Sequence, residues 1–240
     1  MTTLNEQGQE VGHPIPDWTI PEMPPRDTLI GRYCRVEPLH IAKHADDLHA
    51  AFSVGTSGAD WSYLPYGPFD SLAAFESWLS ETCFSNEPIF FAIIDLVSGK
   101  AVGMASYLNI NRVYGTIEVG HVHFSPLLQR SRVATEAMYL MMGHAFGTGY
   151  RRYEWKCNAF NARSRKAAIR FGFSYEGVFR NHMVVRGHNR DSAWYACVDG
   201  EWPQLKTAYE TWLDDANFNA AGQQVRSLAD LTRPLLVATD

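Results

Sequence analysis

From Leu29 the chain alternates apolar and polar positions through LIGRYCRVEPL (29–39), the pattern of a strand buried on one face. The period then lengthens. HIAKHADDLHAAF (40–52) repeats apolar residues at helical spacing, and LAAFESWLSETCF (72–84) does so again behind Asp70 or Ser71 as the N-cap. Between them VGTSGADWSYLPYGPFDS (54–71) holds Pro65, Gly67 and Pro68, which exclude regular structure, and aromatic residues of the kind that line sites. The segment 89–126 divides into a strand, a turn at Ser98-Gly99, a second strand, a link ending at Gly115, and a third strand, TIEVGHVHF, which together make an antiparallel meander. A helix begins near Arg130, gathers Ala134, Ala137, Met138, Met141, Met142 and Ala145 on one core-facing side, and stops at Gly147 or Gly149. RRYEWKCNA is a short strand, NARSRKAAIRFG a helix ended by Gly172, and residues 173–199 form two strands joined around RGHN. EWPQLKTAYETWL is a further helix, while residues 218–240 show no pattern that places them.

This order predicts an α+β domain with an open central sheet over residues 29–200. Residues 1–28 carry five prolines and read as an extended arm that Trp18 and Ile20 could pin; residues 201–240 read as a C-terminal helical extension. A hydrophobic content of 46% with 13% aromatics is ample for one core. The net charge of -5 argues against a nucleic-acid partner. Cys34, Cys83, Cys157 and Cys197 stand singly, so their spacing gives neither a zinc site nor a disulfide framework, and no metal is expected. No apolar run approaches the ~20 residues of a membrane helix, and the N-terminus lacks an apolar signal core. A soluble cytoplasmic protein with no membrane partner is the expectation.

Chemistry concentrates where TIEVGHVHF passes through SPLLQRS into the long helix. A helix N-terminus offers unpaired N–H groups and the positive end of a dipole, so anions are stabilised there. Arg130 and Arg132 add full charges, which suits a diphosphate; a solvated helix start with surface arginines is the other reading.

In this region the sequence resembles the GCN5-related N-acetyltransferase (GNAT) superfamily, and within it the Rim-type branch of ribosomal-protein and small-amine acetyltransferases, over residues 29–200. The family's pyrophosphate motif runs Q/R-x-x-G-x-G/A. Gln129-Arg130-Ser131-Arg132-Val133-Ala134 matches its first and last positions, with Arg132 at the central glycine. NARSRKAAIRFGF resembles a second family segment, N-x-x-S followed by a helix ending in Gly-Phe. The resemblance implies a GNAT-like, mostly antiparallel sheet of about seven strands and acetyl-CoA as acyl donor. It places Gln129 to Thr135 at the pyrophosphate, Asn161 and Ser164 beside the pantetheine arm between two splayed strands, and Arg165 or Lys166 near the nucleotide phosphates. Read without it, Asn161 is an ordinary helix cap.

Glu118 lies eleven positions before Gln129, where histone-acetylating members carry a general base; a strand carboxylate paired with an arginine is the alternative. The resemblance also implies that the Val122 N–H polarises the thioester carbonyl and that Phe124 pairs by main chain with pantetheine. In a regular strand His121 and His123 face away from Glu118, but the bulge usual in this family's strand would bring a histidine back. The family's tyrosine that protonates the leaving thiolate falls on Ala168, leaving unassisted departure or another hydroxyl from Tyr175, Tyr195 or Ser164.

The acceptor side is expected from the aromatic loop, with Trp61, Tyr63 and Tyr66, and from the last hairpin, with Arg180, His182, Arg190, Asp191 and Trp194; Asp60 and Glu87 are further acidic candidates. The acceptor is a small-molecule amine or a protein N-terminus, and pairing into a homodimer is left open. The alternatives are transfer of another acyl group such as succinyl, a non-catalytic acyl-CoA-binding module, and a purely structural interaction protein.

Overall fold

A computed structural model of the chain describes residues 2–55 and 58–240. In chain order the elements are β1 (Thr2–Leu4), β2 (Glu10–Gly12), β3 (Leu29–Ile30), β4 (Cys34–Pro38), α1 (Ile41–Phe52), α2 (Leu72–Thr82), β5 (Ile89–Asp95), β6 (Ala101–Asn111), β7 (Thr116–Phe124), α3 (Arg132–Gly147), β8 (Arg152–Asn158), α4 (Ala162–Arg170), β9 (Ser174–Val185), β10 (His188–Val198), α5 (Trp202–Leu213) and α6 (Leu228–Thr232). One eight-stranded sheet runs β3-β4-β5-β6-β7-β8-β10-β9, antiparallel except for the β7–β8 pair. The expected count of about seven becomes eight because the opening alternation splits into β3 and β4 around Gly31.

The two faces bury separate clusters. Ile117, Val119, Tyr153, Trp155 and Tyr195 meet the methionines of α3 and the aromatic residues of α5, whereas Phe90, Ala92, Ile94 and Met104 meet α1, α2 and Trp61. Covered on both sides, β5 is a continuous apolar run rather than an alternating one. Met138, Met141 and Met142 are fully buried, in keeping with a packing role.

Local chemistry sets the boundaries. Ser71 caps α2, its side chain accepting from the Ala74 N–H. Arg130 adopts φ 60 and Ser131 caps α3, so that helix opens at Arg132 rather than near Arg130. Residues beyond 218, which carry no periodicity, include α6, opened by a reciprocal Ser227–Asp230 capping box and anchored by fully buried Leu228. The N-terminal arm carries the exposed β1–β2 hairpin, then docks where Trp18 lies against Gly115 and Arg151 and where Arg112 Nε donates to the Pro21 carbonyl (2.7 Å). Ile20 stays more than half exposed.

Candidate active site

The strands β7 and β8 pair only over Thr116–Val119 with Arg152–Trp155. From Gly120 and Lys156 onward they diverge, leaving a wedge whose inner backbone edges have no strand partner. The mouth is shaped by a bulge: two β7 residues, His121 and Val122, oppose the single β6 residue Ala105, and His121 takes φ 49. Val122 lies in that bulge and Phe124 at its end, the carbonyl of Phe124 accepting from Gln129 Nε2 (2.9 Å).

The bulge also shifts strand parity, so His123 joins the face of Glu118. Its ring stacks on Trp61 (centroids 4.0 Å) and meets Phe52 edge-on (4.2 Å). His121 stacks on Tyr66, and Tyr66 Oη is 3.0 Å from His121 Nδ1. Burial lowers both imidazoles to about 4, so they are neutral and weakly basic at neutral pH. Burial likewise holds the Tyr66 hydroxyl in its protonated form.

Glu118 is 3% exposed on the floor of the wedge. One oxygen, Oε2, accepts from Asn109 Nδ2 at 2.7 Å and lies 3.2 Å from Lys156 Nζ; no donor among the described residues reaches Oε1. Burial raises its proton affinity above the usual carboxylate range, against the opposing pull of Lys156 and Asn109. The result is an anchored carboxylate with one free oxygen and increased basicity.

At the helix entrance the N–H groups of Arg130, Arg132 and Val133 have no protein acceptor among the described residues, while that of Ala134 is taken by Ser131 Oγ (3.0 Å). Thr135 Oγ1 turns inward, bonding the Ser131 carbonyl and accepting from Arg170. Three free amides at the positive end of a sixteen-residue helix fit a diphosphate. The exposed side chain of Arg130 stands beside them, whereas the guanidinium of Arg132 lies 3.5 Å over the Phe218 ring and reaches Tyr33 Oη and Asp215, tying the helix to the C-terminal segment. Across the wedge Asn161 caps α4 through the Ser164 N–H, Ser164 Oγ accepts from Trp155 Nε1 (3.0 Å), and Lys166 is exposed. Arg165 is bound to Asp240 and the Ala159 carbonyl.

A non-glycine residue in the left-handed region carries strain, so Arg130→Gly is expected to stabilise the free protein by about 0.5–1 kcal/mol, a gain that denaturant unfolding checks.

Of the candidates for protonating a leaving thiolate, Tyr195 is fully buried against Asp240 and Arg165, and burial drives its proton affinity up; Ser164 faces Trp155. On the acceptor side Tyr63 Oη holds the Phe160 carbonyl, Arg186 at the tip of the β9–β10 hairpin holds the Gly67 carbonyl, and the aromatic loop thereby roofs the sheet face carrying Glu118. Asp191 is spent inside the hairpin on the Asn181 N–H and Asn189, Arg180 is exposed, and Trp194 lies under Lys156 Nζ (4.9 Å). Asp60 pairs with Arg163, and Glu87 accepts from the Ile110 N–H. Sequence reasoning missed Asn109 and Lys156. Lys156 sits two residues beyond Glu154, the β8 partner of Glu118, but only the pairing register reveals this. Among the described residues no cluster could hold a metal ion, and no helix is long and apolar enough to cross a membrane.

The wedge, bulge and amide-lined helix start can be compared with known proteins. Among proteins of curated function none matches. A crystal structure of a GCN5-related N-acetyltransferase from Brucella melitensis is 46% identical, covering 91% of this chain and 99% of its own, with a TM-score of 0.89. A GNAT-family structure from Chromobacterium violaceum is 37% identical over 80% of this chain and 96% of its own (TM-score 0.75). A Vibrio cholerae structure named for ribosomal-protein-serine acetylation is 17% identical over 73% of this chain and 99% of its own (TM-score 0.63), a likeness of fold alone. The model of the acetyltransferase (GNAT) domain matches residues 35–174, more than half the chain, and the protein therefore belongs to the GNAT acetyltransferase family.

Proposed function

We propose that this protein transfers the acetyl group of acetyl-CoA to a primary amine by direct attack, with no covalent enzyme intermediate and Glu118 as the base. The observation that carries the proposal is the buried Glu118 carboxylate, anchored through Oε2 and free at Oε1, on the floor of the β7–β8 wedge. An amine arrives as an ammonium with a pKa near ~10 and attacks only after losing a proton, which the free oxygen can take directly or through water.

Acetyl-CoA supplies the thioester when bound. The free amides of Arg130, Arg132 and Val133 fit its pyrophosphate, with Gln129, Ser131, Ala134 and Thr135 shaping the loop and Arg130 and Lys166 adding charge. The backbone edge from Val122 to Phe124, which β8 leaves without a strand partner, suits the pantetheine arm, and the Val122 N–H suits the carbonyl oxygen. Asn161 and Ser164 hold the opposite edge of the wedge. With Ala168 in the place of a tyrosine, the thiolate leaves unassisted, which a thiol pKa near ~8.5 permits.

A small amine is favoured over a protein N-terminus because the aromatic loop and hairpin tip close over the site. The reading retains the Rim-type branch and a cytoplasmic location, which four buried free cysteines suit. The test is CoA-thiol release with acetyl-CoA or succinyl-CoA as donor, against small amines and a peptide N-terminus as acceptors. Turnover with acetyl-CoA at least tenfold above succinyl-CoA is expected. Equal or preferred use of succinyl-CoA would overturn the donor assignment, and CoA binding without turnover would make the protein a binding module.

A further inference from the structure

The sheet face carrying Glu118 also holds an arginine, Arg190, that makes no ion pair among the described residues. Arg190, Ser192 and Trp194 alternate onto one side of β10, Trp194 pairs in register with Lys156, and the Lys156 ammonium stands over the Trp194 ring. The neighbouring charges are accounted for. Lys156 is matched by Glu118, Arg152 by Glu154 and Glu176, and Asp191 accepts hydrogen bonds within its own hairpin. Arg190 makes no ion pair among the described residues, although it is only partly exposed. Its Nε and the Trp194 Nε1 are both shielded from solvent and have no acceptor.

A donor shielded from water without an acceptor is unfavourable, and two such donors, Arg190 Nε and Trp194 Nε1, lie on this one strand face. Such an arrangement is maintained when a ligand supplies the missing acceptor. Arg190 and Trp194 share the sheet face of Glu118 and Lys156, and Arg190 is within electrostatic range of Glu118. With Glu118 paired to Lys156, Arg190 is left without a partner of its own among the described residues.

We infer that the amine acetylated at Glu118 also bears a carboxylate, which Arg190 and Trp194 receive on the β10 side of the wedge. The guanidinium fork matches a planar carboxylate, and a polyamine carries no group that could supply the missing acceptor. This rests on the proposed amine acetylation at Glu118 and adds the class of acceptor.

The test is thiol release from acetyl-CoA with the twenty standard α-amino acids, each beside its own carboxamide, and with spermidine. The expected result is a free acid preferred over its carboxamide by about ten- to hundredfold in kcat/KM, the range of a charged hydrogen bond, and no use of spermidine. In Arg190→Met that ratio collapses to within about twofold, Arg190→Lys restores part of it, and the free Arg190→Met protein melts higher than the parent because an unpaired charge has been removed. Carboxamides or spermidine used as well as the acids would overturn the carboxylate site and leave the acetyltransferase reading standing. Turnover of none of the acids while acetyl-CoA still raises the melting temperature would overturn it too, and a lower melting temperature for Arg190→Met would show a structural arginine. Absence of acetyl-CoA binding would instead remove the reading on which the inference rests.

Discussion

Glu118→Gln is expected to lower kcat/KM for amine acetylation by about 10²–10⁴-fold at neutral pH, the usual contribution of a positioned general base. The amide keeps the shape of the carboxylate and can still accept from Asn109 at the oxygen that now receives Asn109 and Lys156, but it cannot take a proton. The pH profile separates this role from a structural one. Burial raises the folded-state pKa of Glu118 above its unfolded value, so the base is ionised and active at high pH and lost as pH falls through that raised value. The parent enzyme should therefore show an acid limb in kcat/KM set by Glu118. In Glu118→Gln that limb disappears, and the residual rate climbs about tenfold per pH unit with the supply of free amine. An unchanged rate and profile would return Glu118 to the role of a strand carboxylate paired with a cation.

The largest effect on stability is expected at Glu136, which touches no part of the wedge. Its carboxylate, 5% exposed on α3, accepts the backbone N–H groups of Arg32, Tyr33 and Cys34 at 2.8, 2.7 and 2.8 Å. These are the donors of the turn between β3 and β4, so one side chain fastens the edge of the sheet to the long helix. Glu136→Ala leaves one buried and two part-buried amides without acceptors and is expected to cost about 3–5 kcal/mol, on the order of 10 °C in melting temperature for a domain of this size. Gly31→Ala acts on the same contact, since a Cβ there would lie 2.3 Å from Glu136 Oε2. The two substitutions share one network, and the double variant should lose clearly less than the sum of the single losses. Simple additivity in denaturant unfolding would show that they act separately.

The sequence made the fold legible because periodicity and apolar runs report burial directly: β8 alternates and the α-helices repeat at helical spacing, while β5 and most of β6 are continuous apolar runs covered on both faces. It failed where other forces position the chain. Residues 218–240 are held by a capping box, by Phe218 on Arg132 and by Asp240 on Arg165 and Tyr195, contacts that leave no period. The candidate site could be read from the sequence as a set of positions but not as a set of partners. Whether the Glu118 carboxylate is anchored, and by what, depends on register: Asn109 comes from a bulge in β6 and Lys156 from the neighbouring parallel strand. The arginines of the helix entrance show the same limit. Arg130 takes the left-handed conformation that glycine favours, while Arg132, at the position of the family glycine, finds an aromatic ring in a segment more than eighty residues away.

The measurement that tests the central claim most directly is thermal unfolding of the full chain with and without saturating acetyl-CoA, beside free CoA and ATP. If the wedge and the free amides of α3 form an acyl-CoA site, ligand at about 100 times its Kd adds roughly 2.7 kcal/mol to native stability, a rise of several degrees for a chain of this length, and ATP at the same concentration adds little. No rise with acetyl-CoA at millimolar concentration, or an equal rise with ATP, would contradict the account.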